Sequence, residues 1–209
     1  MTELERALRR TRHNHDSAAA AGAFLDRAER EGLIDVAYAT LDSPVGDLLV
    51  AGTRRGLVRI AFGGVPHDKV LVELAEDVSP RVLESPARLD AIRRELDEYF
   101  EGRRTDFDVA LDWRLSHGFM RRVLRNTARI PFGQVSTYKA MAAAAGSPRG
   151  ARAAGNALGA NPIPIVVPCH RVLHSGGGLG GYGGGLDRKE FLLKLEGVLG
   201  ASTENERRP

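Results

Sequence analysis

The sequence predicts an α+β protein in two parts: a small domain built on an antiparallel sheet, then a mostly helical domain containing a helix-turn-helix. Three observations carry this. Between residues 34 and 62, three short apolar runs are separated by turn residues, as in a β-meander. From Phe119 onward the apolar positions fall at helical spacing and are interrupted by Pro and Gly. The charge also changes sign: residues 1–112 carry 16 Lys/Arg against 22 Asp/Glu, a net −6, while residues 113–197 carry 12 against 3, a net +9.

A chain of 209 residues, 43% hydrophobic and 27% charged, suits small domains with self-supporting cores and excludes disordered, collagenous and membrane-spanning classes. No stretch approaches the roughly 18 to 20 apolar residues of a transmembrane helix, and the start MTELERALRR has no apolar signal-peptide core. Cys169 is the only cysteine, so no intrachain disulfide forms, and the expected location is the reducing cytoplasm. A basic segment joined to an acidic one is the footprint of a protein that meets a polyanion on one face, nucleic acid first among the candidates.

Residues 1–33 read as a helical extension, charged throughout and Ala-rich from Ala18 to Ala23. His13 and His15 lie one residue apart with no other soft ligand nearby, so they read as exposed helix positions and no metal is expected. The α+β domain spans residues 34–112. Its runs are 34–41, 47–53 and 57–62, joined by Ser43-Pro44-Val45-Gly46 and Arg54-Arg55-Gly56. Residues 66–77 and 87–101 look helical, the second with Leu89, Ile92, Leu96 and Phe100 on one face.

The basic domain, 113–197, opens with a helix from Phe119 to about Ile130, stopped by Pro131 and with Val123 and Leu124 on its apolar side. Residues 136–146, with Ser136 as the expected cap, and 151–161 flank the breaker Ser147-Pro148-Arg149-Gly150 and outline the helix-turn-helix. The second of these helices is small-residue-rich, which lets its backbone approach a groove closely. A last helix, Asp187 to Glu196, is expected to be capped by Asp187 and Glu190 and to bury Phe191, Leu192 and Leu195. Residues 198–209 read as a flexible tail.

The chemistry concentrates between these helices. Prolines at 162, 164 and 168 forbid a helix, and the apolar residues among them predict an extended buried segment that carries Cys169 into the interior. A thiol with a pKa near 8.5 is only a few per cent thiolate at neutral pH, so a nucleophilic Cys169 needs a base or a positive charge; His170 and Arg171 are the candidates. Glu196, in the last turn of the final helix, is placed to orient a histidine as the third member of a relay. The run 176–185 holds eight glycines and Tyr182. Although it contains G-x-G-x-x-G, no βαβ unit can follow in the remaining 24 residues, so it reads as a flexible or closely approached loop beside the thiol.

These residues resemble the O6-alkylguanine-DNA alkyltransferases, also called methylated-DNA–protein-cysteine methyltransferases. The matching elements are Pro168-Cys169-His170-Arg171, Asn161-Pro162 ahead of it, Tyr182 with Gly183 and Gly184, and the closing Leu192-Leu193 with Glu196-Gly197. Ile130-Pro131-Phe132-Gly133, Thr137-Tyr138, Ala151-Arg152-Ala153 and Asp42-Ser43-Pro44-Val45-Gly46 fall in order upstream. The resemblance spans roughly residues 35–197. It implies a ribonuclease-H-like N-terminal domain and a helix-turn-helix alkyltransferase domain holding the thiol.

The resemblance also implies roles. Cys169 would accept the alkyl group irreversibly, once per molecule, with His170 as its base through a water, Glu196 orienting the imidazole and Asn161 bracing the turn. Arg152 would enter the minor groove of double-stranded DNA and take the place of the flipped nucleotide, with Tyr138, Thr137, Ala151 and Gly155 also on the DNA face. Tyr182, Gly183, Val172, Tyr138 and Leu158 would line the base pocket. No cofactor and no membrane partner are implied, and a monomer is expected. Many relatives have Trp where Leu124 stands and Ser where Thr137 stands, and the zinc site of some members cannot form without a second cysteine. On the residues alone, a transcription regulator or a Cys/His hydrolase stays open beside alkyl transfer.

Overall fold

In the computed structural model, residues 20, 22–23, 27–28 and 30–200 are described. The chain divides into two compact units, residues 1–35 and 36–209. In the first, the described positions 20, 22–23, 27–28 and 30 are helical, and Arg27 pairs with Glu31 one turn on at 2.7 Å. The rest of the expected 1–33 extension, with His13 and His15, and the tail from 201 lie outside the described residues.

The second unit begins with the meander: β1 (Val36–Leu41), β2 (Leu48–Thr53) and β3 (Gly56–Phe62), each antiparallel to the next. The first turn closes where Gly46 adopts φ 89° and the Ser43 hydroxyl donates to its carbonyl. At the second, Gly56 has φ 129°, and a Cβ there would meet the Ala110 carbonyl oxygen at 2.1 Å, so only glycine fits. Helix α1 (His67–Asp77) and the short strand β4 (Val82–Glu84) follow. β4 pairs in parallel with β1, giving the order β3-β2-β1-β4. The expected antiparallel sheet therefore carries an added parallel edge.

Alternation across the pleat explains why β2 reads as a continuous apolar run. Leu49 and Ala51 face one way, where Val70 and Leu74 of α1 cover them. Leu48 and Val50 face the other, toward Leu89 and toward Ile92, Leu96 and Tyr99 of α2 (Asp90–Phe100). A bulge between Ala51 and Gly52 shifts the register against β3.

The helical part continues the same core. Helix α3 (Gly118–Thr127) buries Val123 and Leu124. It stops three residues before the expected Ile130, where the Thr127 hydroxyl donates back to the Val123 carbonyl and the chain turns ahead of Pro131. Helices α4 (Tyr138–Ala144) and α5 (Ala151–Gly159) flank a tight turn at Gly146, φ 83°. The cap of α4 is Thr137, whose hydroxyl accepts from the Ala140 N–H at 3.1 Å, and not the expected Ser136. Both residues form β5 (Ser136–Thr137), a two-residue strand parallel to β6 (Val172–Leu173), and this pairing pulls Ser136 away from the helix.

Helix α6 (Leu186–Leu195) starts after Gly185 with no side-chain cap, so the Asp187/Glu190 pair does not form one. Its buried face is Lys189, Leu192 and Leu193, continued by Glu196; Phe191 is exposed and Leu195 only half-buried. The helix is thus rotated by about one residue from the expected stripe because two charged side chains belong to its inner face.

Candidate active site

Helix α5 ends at Gly159, and the chain then enters a wholly buried stretch through Pro162 to Cys169. This stretch is not extended as expected. The Val167 N–H bonds the Ile163 carbonyl and the Cys169 N–H bonds the Val167 carbonyl, so it coils on itself. Ile165 takes φ 74°, the sole positive φ among non-glycine described residues, and a β-branched side chain pays roughly 1–3 kcal/mol to sit there. Prolines on both sides, full burial and the bond from Ile60 N–H to the Pro162 carbonyl hold it in place.

Cys169 opens a short 3-10 turn, Cys169–Arg171, and is 6% exposed. Asn161 braces this turn three ways. Its Oδ1 accepts from the Ile163 N–H, while Nδ2 donates to the Val167 carbonyl at 2.8 Å and to Cys169 Sγ at 3.1 Å. Burial nevertheless pushes the thiol up to about 11, against the opposing pull of Asn161 and the Lys189 charge.

The three residues of the turn diverge by design of the backbone: Cys169 faces a cavity while His170 and Arg171 point to the carboxylate that closes α6. Glu196 is fully enclosed. Its Oε2 accepts from Arg171 Nε at 2.8 Å, and its Oε1 from Arg171 Nη2 (2.8 Å), His170 Nε2 (2.9 Å) and the Tyr99 hydroxyl (2.7 Å). Burial opposes ionisation here, but the hydrogen bonds from His170 and Arg171 prevail and hold the carboxyl down at about 2. The unfavourable position of a carboxylate at a helix C-terminus, about 0.3–1 kcal/mol, is outweighed by the two-point Arg171 fork.

An ionised Glu196 only accepts, so His170 carries its proton on Nε2. Burial lowers the imidazole pKa, leaving it neutral near pH 7. The basic lone pair is therefore on Nδ1, which is buried and has no protein hydrogen-bond partner. That is a base held in one tautomer with its acceptor nitrogen free.

Above the thiol, the glycine loop packs too tightly for any larger residue at two of its positions. A Cβ on Gly184 would lie 2.6 Å from the Phe62 ring, and one on Gly180 (φ 70°) 2.5 Å from the Tyr138 hydroxyl oxygen. Lys189, wholly buried, pins this loop: its ammonium donates to the carbonyls of Leu179 and of Val172, the latter at 2.7 Å. Burial lowers its pKa to about 8. Arg188 fastens the loop's end to the sheet, donating to the carbonyls of Gly184 and Val45 at 2.7 Å each and of Gly63 at 3.2 Å.

A cavity of about 650 Å³ opens over Cys169, and Tyr138, Ala151, Arg152, Gly155 and Leu158 line it with Tyr182 and Gly183 of the loop. Arg152 is exposed at its mouth. The Tyr138 hydroxyl donates to the Gly181 carbonyl at 3.2 Å, and its ring stacks tilted on His174, which also lines the cavity. Thr137 serves as the α4 cap and Val172 is buried in β6, its carbonyl taken by Lys189; neither lines this cavity. Asn161 faces a smaller recess of about 150 Å³ on the other side of Cys169.

Tyr99, Lys189, Arg188 and His174 were not marked by the sequence. Only Lys189 left a usable sign: it lies three and four residues before Leu192 and Leu193 and seven before Glu196, on one helical face. Among the described residues no group of three or more His, Cys, Asp or Glu can hold a metal ion, and no helix is long and apolar enough to cross a membrane.

Comparison with known proteins bears on the whole of this unit. Residues 36–113 match the ribonuclease-like domain of 6-O-methylguanine DNA methyltransferase, and residues 118–198 match the DNA-binding domain of the same family. The methylated-DNA–protein-cysteine methyltransferase of Mycolicibacterium paratuberculosis is 42% identical over 161 residues, 77% of this chain and 92% of the relative. That of Methanosarcina barkeri is 40% identical, covering 76% of this chain and 96% of the relative. Among solved structures, the Mycobacterium tuberculosis O6-methylguanine methyltransferase superposes with a TM-score of 0.67 at 38% identity, covering 77% of this chain and 92% of that one. A complex of the M. tuberculosis protein with DNA gives 0.65 at 39% identity, with the same coverage. Since both halves of the sheet-and-helix unit match and the relatives align over nearly their full length, the chain belongs to the methylated-DNA–protein-cysteine methyltransferase family.

Proposed function

We propose that this protein repairs O6-alkylguanine in double-stranded DNA by flipping the base into the cavity over Cys169 and taking the alkyl group onto that thiol once and irreversibly. The observation that carries the reading is the buried thiol at the floor of a cavity beside the second helix of a helix-turn-helix, with a tautomer-fixed histidine next to it. An O6 substituent is out of reach inside the duplex, and extrusion costs a few kcal/mol, less for a damaged and poorly paired base. Arg152 enters from the minor groove and fills the gap, while the basic helical part neutralises phosphate. Small residues at Ala151 and Gly155 let α5 approach the backbone, with Tyr138 and Thr137 at the flanking phosphate. Tyr182, Gly183 and Leu158 enclose the base.

The reaction balances as a displacement. The thiol proton passes through a water to His170 Nδ1, sulfur bonds the alkyl carbon as the carbon–O6 bond breaks, and the departing guanine anion takes up one proton from solvent while His170 returns one to it. The product thioether is not readily cleaved, so each chain acts once. The protein works as a monomer in the cytoplasm.

Incubation with a duplex containing O6-methylguanine followed by intact mass measurement tests this. A gain of one methylene, mapped to Cys169 and saturating at one per chain, is the expected result; an unmodified thiol with the lesion intact sinks the reading. Arg152→Ala is expected to slow transfer from duplex DNA about tenfold or more while leaving transfer from free O6-benzylguanine nearly unchanged. Equal losses on the two substrates would contradict the gap-filling role.

The raised thiol pKa has its own consequence. At pH 7 an isolated Cys169 is ionised to only about one part in ten thousand, so iodoacetamide labels the free protein slowly, with a rate that climbs toward pH 11. A labelling midpoint near 8.5 would show that the thiol is not shielded as the structure has it. Because the folded-state pKa is raised above the unfolded 9.0, this group's contribution to stability is present below pH 9 and lost as pH rises through about 11.

A further inference from the structure

We propose that Tyr99, on helix α2 of the sheet domain, is a positioning residue for alkyl transfer: its hydroxyl fixes Glu196 and so sets the basicity of His170. The inference rests on the reading of Cys169 as the acceptor, and adds that the sheet domain takes part in the chemistry through one hydrogen bond.

The ring alone does not explain a tyrosine here. Tyr99 is completely buried, with Phe107, Phe100 and Phe132 around it at centroid distances of 5.3, 5.4 and 6.1 Å. A phenylalanine would satisfy that nest and spare the cost of burying a hydroxyl. The hydroxyl instead spans 97 residues of sequence to donate at 2.7 Å to Glu196 Oε1, the same oxygen that accepts from His170 Nε2. The burial of Tyr99 also keeps the phenol protonated, since its own desolvation and then the Glu196 charge raise its pKa. It is a permanent donor.

Three donors thus converge on Oε1: the Tyr99 hydroxyl, Arg171 Nη2 and His170 Nε2. Each draws charge from it, and what remains sets how strongly the carboxylate favours a protonated imidazole. The groups acting on His170 are Glu196 from the end of α6, Arg171 beside it in the turn and Lys189 from α6; Tyr182 of the loop faces its ring edge-on at 6.5 Å. Of the two donors that share Oε1 with His170, Tyr99 is neutral and Arg171 charged, so removing the Tyr99 hydroxyl changes no formal charge. It leaves a more basic Oε1 that pulls harder on the His170 proton, and the imidazole pKa rises.

The test is Tyr99→Phe in the full chain, read by single-turnover methyl transfer from an O6-methylguanine duplex across pH and by nitrogen-15 NMR of the His170 imidazole. The expected result is an acid limb moved up by about half a pH unit, which is a roughly threefold slower transfer on that limb. The imidazole titration moves by the same amount. Site-specific 3-fluorotyrosine at position 99, a stronger donor with the same packing, shifts both in the opposite direction and decides the matter should the Phe variant fold poorly. If profile and titration superpose on the parent for either variant while only stability changes, Tyr99 is a packing residue and the proposal is overturned. If the parent itself transfers no methyl group, the reading of Cys169 fails, and the imidazole titration still decides the role of Tyr99.

Discussion

Glu196→Gln is expected to destabilise the protein by about 3–5 kcal/mol and to slow methyl transfer at least a hundredfold. The change is isosteric, so the loss comes from charge and donor count. Glu196 accepts four hydrogen bonds, two of them from a guanidinium that is itself only 5% exposed. An amide presents a single acceptor oxygen. Its NH₂ would face either Arg171 Nε or the three donors Arg171 Nη2, His170 and Tyr99, and the Arg171 charge would be left buried without a counter-ion. The imidazole loses the acceptor that places its proton on Nε2, and with it the free lone pair on Nδ1.

The same variant carries a pH signature. In the folded parent the Glu196 carboxyl is held at about 2, below its ordinary 4.5. The folded pKa is depressed, so the contribution to stability is fully present above pH 4.5 and is lost as pH falls through that window toward 2, on the order of 3 kcal/mol. Urea unfolding at pH 7 and pH 3 checks it. The parent should lose most of this increment between the two, and the Gln variant should show a flatter dependence. An equal acid loss in both proteins would mean that other carboxyls carry the effect.

Much of the site was legible because its chemistry is local in sequence. Cys169, His170 and Arg171 are adjacent, Asn161 sits just upstream, and Glu196 closes a recognisable helix. The sheet was legible because hairpin strands are short-range partners; β4 was not, since three residues at an edge, paired in parallel with β1, leave no period to count. The stretch 162–168 shows a different limit. Prolines exclude a helix, but they do not choose between an extended chain and a coil, and an isoleucine at φ 74° contradicts the preference of its own side chain.

The phase of α6 was missed for a related reason. Leu192 with Leu195 and Leu192 with Leu193 both make apolar stripes, and what selects the second is that Lys189 and Glu196 go inward to tertiary partners. Tyr99 is the extreme case. The sequence put its neighbour Phe100 on the face of Leu96 and Ile92; the structure buries the Tyr99 ring there, and nothing within reach in sequence reveals where the hydroxyl goes.

That inward lysine supplies the other large effect. Lys189→Met keeps the length and the burial of the side chain but leaves the carbonyls of Val172 and Leu179 without their shared donor, a loss of roughly 1–3 kcal/mol for each group stranded from water. One carbonyl belongs to the strand that follows the thiol and the other to the glycine loop, so the variant also frees the loop that carries Tyr182 and Gly183. The charge matters separately, because Lys189 favours the ionised form of Cys169. Transfer should fall by about tenfold to a hundredfold at neutral pH. In the parent, burial brings the ammonium down to about 8, so its charge is present below that pH and fades above it. Methyl transfer should accordingly rise as His170 loses its proton and as the thiol ionises, with that rise blunted above pH 8 where the Lys189 charge is lost. The Met variant, with no charge to lose, should be slower throughout and show no break near pH 8. Rates measured from pH 6 to 10 on both proteins separate the two contributions: a break that survives in the variant would place that titration elsewhere and reduce Lys189 to a pin for the loop.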